Sequence, residues 1–204
     1  MKTRQQIKET AKQSFYANYW LCVAVNIVFW MLLSSIAGIT AGLGTLILAG
    51  PLTIGFNKFC LNLFSGSTAT FDTVFNEGFS NFGRKLGGYL WMQLFTVLWS
   101  LLLFVPGIIK SLSYAMTPYI LGDCPNVESK TALKLSMRMM NGHKWELFVF
   151  FLSFIGWNLL SGLTFGILSI FFVMPYRNNS LAGYYSELKS VSLQSGVVSA
   201  EELA

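Results

Sequence analysis

Three stretches of this chain, residues 20–63, 86–121 and 145–184, are interrupted by charge only at Lys58, Lys110, Glu146 and Arg177. Crossing a bilayer once takes roughly 20 apolar residues, so each stretch is long enough to enter a membrane and return. The expected fold is all-α: a polytopic membrane helix bundle of about six membrane segments in three hairpins, with amphipathic interfacial helices on the cytoplasmic side.

The 204 residues leave room for a single integral membrane domain over 1–189 and a C-terminal tail over 190–204, because the polar gaps are too short to enclose a core of their own. The net charge of +5 does not point to nucleic acid, since the cations stand where apolar runs end. Cys22, Cys60 and Cys124 are odd in number and lack CxxC spacing, so they read as small apolar fillers. A long basic lead before Trp20 and a glycine-rich apolar run after Ile36 favour a retained first helix over a cleaved leader.

Orientation follows the lysines and arginines. Lys2, Arg4, Lys8 and Lys12, then Arg84 and Lys85, then Lys130, Lys134, Arg138 and Lys144 form three clusters, and placing all of them inside gives both termini to the cytoplasm. The reversals are expected at Gly38 to Gly44, at a hinge of Pro106 and Gly107, and at Gly162. The segments are then 20–37, 43–63, 86–105, 108–121, 145–160 and 163–184. The fourth, about 21 Å at 1.5 Å per residue, is short for a core of roughly 30 Å; it is a partial, tilted or re-entrant helix, or a continuation of the third. Lys110, just past the hinge, would snorkel toward the outer headgroups.

Three polar sections carry helical amphipathicity. Over 1–18, Arg4, Lys8 and Lys12 repeat every four residues beside Ile7, Ala11 and Phe15. In 70–83, with Thr70 placed to cap, Phe71, Val74, Phe75, Phe79 and Phe82 share a side, while Gly78 and Gly83 argue for a short or broken helix. In 128–141, Lys130, Lys134 and Arg138 oppose Ala132, Leu133, Leu135, Met137, Met139 and Met140, and Asn141 and Gly142 close the helix. Two readings stand: these helices brace the inner rim of the bundle, or the Lys130, Lys134 and Arg138 stripe, with Phe71, Phe75 and Phe79, contacts anionic lipid headgroups or a membrane partner.

No acid lies centrally in an apolar run, and the lone histidine, His143, stands beside Gly142. No nucleophile with an orienting acid, no metal-ligand spacing and no phosphate loop can be named, so no catalytic, cofactor or metal residues are expected. The intramembrane polar residues Asn26, Asn57, Gln93 and Asn158 are assigned to hydrogen bonds between helices, with a solute path as the alternative and Gln93 and Asn158 as the pair to test.

The run LWSLLLFVPGIIKSLSYAMTPYIL, then Asp123, Cys124 and Pro125, then ALKLSMRMMNGHKWELFVFFLSFIGWNLLSGLTFGI and MPY, resembles the bacterial integral-membrane family called domain of unknown function 975. GPLTIGF and FDTVFNEGFSNFGRKLGGYLW fit the same pattern, extending the resemblance from about Lys2 to Lys189. More distantly, the layout looks like the membrane domain of glycerophosphodiester phosphodiesterases. The resemblance implies a small multi-helix membrane protein and supplies no reaction and no site residue. The function expected is a non-enzymatic membrane scaffold or accessory subunit that binds anionic lipid and a membrane protein partner or a second copy. The alternatives are a transporter or permeation protein for a small or amphipathic solute and, behind both, a lipid-modifying intramembrane enzyme.

Overall fold

The structure, a computed structural model, describes residues 3–102 and 104–203, so Lys2 of the first basic cluster lies outside the described residues. Its elements are helical: α1 (Arg4–Ala17), α2 (Tyr19–Ile39), α3 (Leu43–Phe64), α4 (Phe71–Phe79), α5 (Phe82–Leu102), α6 (Phe104–Tyr114), α7 (Thr117–Asp123), α8 (Ser129–Met139), α9 (Lys144–Leu152), α10 (Ile155–Leu163), a π-helical turn (Ser169–Val173), α11 (Met174–Gln194) and a final 3₁₀ turn (Glu201–Leu203). Tyr19–Ile39, Leu43–Phe64 and Lys144–Leu163, the last joining α9 and α10 across a kink at Ser153, are long and apolar enough to cross a membrane.

α3 is the central helix. α4, α7, α11, α5, α2 and α1 pack around it, with Phe29 of α2 stacked on Phe56 of α3 at 4.4 Å. The third hairpin closes by antiparallel ring pairs: Trp157 with Phe172 at 5.1 Å, Phe154 with Tyr176 at 5.6 Å and Phe150 with Tyr184 at 5.7 Å. Burial is uneven along the hairpins. At the reversals Ile39, Leu101, Leu163 and Phe165 are 79–98% exposed, whereas Tyr119, Ile120, Leu121, Tyr184, Tyr185 and Leu188 at the opposite end are closed off.

Two of the reversals use one device. After α2, Ala41 (φ 48°) and Gly42 (φ 87°) are left-handed, and the Gly42 N–H reaches back to the Ala37 carbonyl at 2.9 Å. After α10, Phe165 (φ 51°) and Gly166 (φ 84°) repeat it, with the Gly166 N–H on the Ser161 carbonyl at 2.8 Å. Both satisfy the last free carbonyls of the helix. Gly162, expected to be the bend, instead lies within the last turn of α10.

Pro106 and Gly107 are likewise not between helices. α6 begins at Phe104, so Pro106 sits in its first turn, where a missing N–H costs nothing. A Cβ on Gly107 would come within 2.8 Å of the Ser100 Cα, so the glycine lets α6 lie against α5.

The fourth expected segment, 108–121, is broken. Pro118, second in α7, cannot donate to the carbonyl four residues back, and α6 ends at Tyr114. α7 then turns into the base of the bundle against α3, α5 and α8, with Thr117 through Gly122 buried.

The amphipathic helices form where expected and pack inward. α1 opens with a reciprocal cap between Thr3 and Gln6 and buries Ile7, Ala11 and Phe15 completely, chiefly against α11. α4 is capped by Thr70 with Thr73 and stops at Phe79, short of residue 83, because Asn81 (φ 49°) turns the chain into α5 and Gly83 belongs to that helix. Gly78 is a contact rather than a breaker: a Cβ there would meet the Pro51 carbonyl oxygen at 2.8 Å. The final residues are not a detached tail, since α11 runs to Gln194 and Val198 and Leu203 join the main core.

Candidate functional site

Charges that read as topology markers in the sequence form a built polar base. Asp123, closing α7, receives Lys58 of α3 on Oδ1 at 3.0 Å and Lys189 of α11 on Oδ2 at 2.6 Å. The Tyr185 hydroxyl donates to the same Oδ2 at 3.3 Å. All three charged side chains are less than a third exposed, at 21%, 16% and 28% for Lys58, Asp123 and Lys189. Burial works against the Asp123 charge, but hydrogen bonds and attraction from Lys189 and Lys58 outweigh it and hold the carboxyl below its ordinary range. Lys189 moves the other way: burial disfavours its charge, Asp123 more than restores it, and its pKa is raised.

Beside this cluster the Arg84 guanidinium caps the end of α7 and the loop after it. Nη1 donates to the carbonyls of Cys124 (3.1 Å) and Val127 (2.6 Å), and Nη2 to that of Leu121 (2.7 Å). Lys85, 2% exposed, closes α4 through the Glu77 carbonyl and, at 2.7 Å, the Ser80 hydroxyl. Replacing Arg84 with methionine removes three charged hydrogen bonds, and at about 1 kcal/mol or more for each the protein should lose about 3 kcal/mol of stability. A detergent melt of Arg84→Met coincident with that of the parent would refute the brace.

The cationic stripe of α8 divides. Arg138 turns away, held by Glu202 at 2.7 Å and by the Val197 carbonyl, and so belongs to the contact with the chain's end. Lys130 and Lys134 turn toward α5 and line a groove of about 520 Å³ between α5, α6 and α8. One wall is the α5 row Trp91, Phe95 and Trp99, spaced four residues apart on one side of the helix. Leu133 and Met137 contribute from α8.

Lys110 of α6 completes the groove, 4.9 Å from the Trp99 ring centroid, while Lys130 stands 5.4 Å from that of Trp91. The Lys110 ammonium thus faces the same space as the α8 lysines. The groove carries no acidic lining among the described residues. Glu128 borders the adjoining depression of about 400 Å³, next to Arg84 and Lys130.

The other expected contact residues do not join this site. Phe71 and Phe79 are about two-fifths exposed, at 38% and 41%, and Phe71 and Phe75 lie beside α2 and α3. α4 sends Val74 and Gly78 inward instead. Gln93 is exposed and donates within α5 to the Tyr89 hydroxyl at 3.0 Å, and Asn158 is exposed on α10. Neither lines the groove, and the Gln93 bond stays within α5 where one between helices was expected.

Of the four intramembrane amides, Asn26 and Asn57 are the buried ones. Asn26 of α2, 1% exposed, has no protein partner among the described residues on either amide atom and lines a cavity of about 430 Å³ with Trp30, Ser34, Ile170 and Met174, at the π-helical turn. His143 pairs with Glu146 at 3.1 Å at the start of α9. No cluster of three or more metal-ligating side chains occurs among the described residues.

What sequence reasoning missed had a faint signal. Lys58 and Asp123 are single charges at the inner ends of apolar runs, where an unpaired charge would be costly.

Residues 101–192 match the model of the family described as "Protein of unknown function (DUF975)". That stretch runs from the end of α5 through most of α11, taking in Lys110, Asp123, Lys130, Lys134 and Lys189. The sections before it, and the likeness to glycerophosphodiester phosphodiesterases, lie outside the match. No curated protein and no solved structure matches the chain.

Proposed function

Starting from a chain whose residues 101–192 carry the domain of unknown function 975, we propose a non-enzymatic, multi-pass scaffold or accessory subunit of the bacterial cytoplasmic membrane. It rests on anionic lipid and binds a membrane partner or a second copy of itself. The helices Tyr19–Ile39, Leu43–Phe64 and Lys144–Leu163 favour immersion by length and composition. So do Ile39, Leu101, Leu163 and Phe165 at the reversals, 79–98% exposed and better solvated by hydrocarbon than by water. Arg84 and Lys85 at the α4–α5 junction and Lys130, Lys134 and Arg138 of α8 stand toward the other end, which favours a cytoplasmic placement of that end and of both termini.

The observation that carries the lipid reading is the groove in which Lys110, Lys130 and Lys134 stand beside Trp91 and Trp99 with no lining acid among the described residues. Asp123, in contrast, is neutralised by Lys58 and Lys189 and serves packing. Each cation near an anionic leaflet contributes about 1 kcal/mol, so anionic lipid should stabilise the protein by about 2 kcal/mol through Lys130 and Lys134. The test is melting in nanodiscs of zwitterionic lipid with and without phosphatidylglycerol, for the parent and for Lys130→Gln/Lys134→Gln. Equal melting of both proteins in both discs would reject the lipid contact. For the partner, gentle solubilisation should recover a stoichiometric companion or a stable homo-oligomer; repeated recovery of a bare monomer would reject it.

The cavity at Asn26 favours a second reading, passage of a small neutral solute, because a donor and an acceptor without protein partners stand opposite a π-helical turn. Solute uptake into proteoliposomes that is abolished by Asn26→Leu would support it.

A further inference from the structure

We propose that the groove between α5, α6 and α8 holds one phospholipid whose headgroup ends in a phosphate monoester, and that Lys110 selects this dianionic headgroup over singly charged anionic lipid. The proposal rests on the reading above that the groove faces lipid. It adds the class of lipid and the residue that discriminates.

Charge comes first. Among the described residues, three lysines line the groove and no carboxylate does. A phosphodiester headgroup such as phosphatidylglycerol brings one negative charge and leaves two ammonium groups unmatched. A phosphate monoester carries about −1.5 to −2 at neutral pH and offers three acceptor oxygens, which suits three point-like donors far better.

Placement comes second. Lys130 and Lys134 sit one turn apart on α8, the helix whose apolar side closes the base of the bundle. Lys110 comes from a different helix and lies against Trp99, eight residues beyond Trp91 and so about 12 Å further along α5. An aromatic face attracts an ammonium without neutralising it, so Lys110 keeps its charge available for an anionic ligand. Its four-carbon stem lets it leave the Trp99 face and close over a headgroup that the α8 lysines hold. The third requirement, an apolar path for an acyl chain, is met by Trp91, Phe95 and Trp99 facing Leu133 and Met137. A volume near 520 Å³ falls within the range of about 300–1,000 Å³ that ligand sites occupy.

The test uses the full-length protein in nanodiscs of phosphatidylcholine containing equal mole fractions of phosphatidate and phosphatidylglycerol, with bound lipid read by native mass spectrometry. One additional matched charge corresponds to about a fivefold preference, so the parent should retain phosphatidate over phosphatidylglycerol by about that factor. Lys110→Gln should bring phosphatidate down to the level of phosphatidylglycerol while leaving phosphatidylglycerol retention unchanged, which also shows that the variant is folded. Lys130→Gln/Lys134→Gln should lower both.

Equal retention of the two lipids by the parent, or an undiminished preference in Lys110→Gln, overturns the inference and leaves the anionic-lipid reading standing. Retention of neither above phosphatidylcholine overturns both. Glycerol 3-phosphate and inorganic phosphate, added to discs lacking anionic lipid, should not raise the melting temperature. A rise equal to that produced by phosphatidate would assign the groove to a soluble phosphate compound and overturn the lipid assignment.

Discussion

Asp123→Asn should lower the stability of the detergent-solubilised protein by about 3 kcal/mol, because it leaves Lys58 and Lys189 facing one another, partly buried, with no counter-charge. The loss comes less from the missing attraction than from two stranded ammonium groups. Replacing the whole cluster, Lys58→Met/Asp123→Leu/Lys189→Met, should therefore recover a large part of it. The pH dependence has a definite sign. The Asp123 pKa is depressed on folding, so its contribution is present above the unfolded value of about 3.9 and disappears as pH falls through the lower folded value. The Lys189 pKa is raised, so its contribution is complete below about 10.4 and disappears as pH climbs through the higher folded value. A melting-temperature plateau between these limits, falling at both edges in the parent and flatter in Asp123→Asn, is the expected pattern. A variant that melts within 0.5 °C of the parent throughout, a change of about 0.2 kcal/mol or less, would refute the cluster's role.

Gly55→Ala should be comparably damaging. A Cβ at residue 55 would lie 1.9 Å from the Val74 carbonyl oxygen and 2.9 Å from the Gly78 Cα, so the obstruction on α4 is backbone with no rotamer to yield. α3 and α4 must separate, which for overpacking of this kind costs about 3 kcal/mol. Gly38→Ala is the matched control: it is also helical, and nothing lies within 4 Å of its added methyl. It should be neutral or stabilising by up to about 1 kcal/mol. The difference between the two melts isolates the close approach from general helix propensity.

Much of the fold was legible because the features that specify it are local. The segments expected at 20–37, 43–63 and 145–160 fall within three residues of the ends of α2, α3 and the α9–α10 helix, and the spacing of Ile7, Ala11 and Phe15 identified the side of α1 that is fully buried. Thr70 was recognisable as a cap. The family resemblance held over residues 101–192.

The turns were harder. Glycine and proline mark where a backbone is able to depart from helix, but two reversals here begin on Ala41 and Phe165, residues with no turn signature. Gly78 and Gly107 proved to be places where helices touch. Nor could the sequence disclose that Lys58, Asp123 and Lys189 meet, since 65 and 66 residues separate the partners and no local pattern joins them. The α8 stripe was legible as three cations; which of them faces the groove was not, because Arg138 is diverted by Glu202 in a segment that looked like a loose tail. Lys110 was visible, but its direction depended on where α6 begins.

The central claim is that the reversals after α2 and α10 project outside a bilayer while the cationic end faces the cytoplasm. The native thiols Cys22, Cys60 and Cys124 are buried and give no background with a membrane-impermeant reagent. Phe165→Cys, at a position 98% exposed at the tip of the third hairpin, should label on intact cells. Ser195→Cys, exposed after α11, should label only once the membrane is opened. Labelling of Ser195→Cys from outside, or protection of Phe165→Cys, would contradict the account.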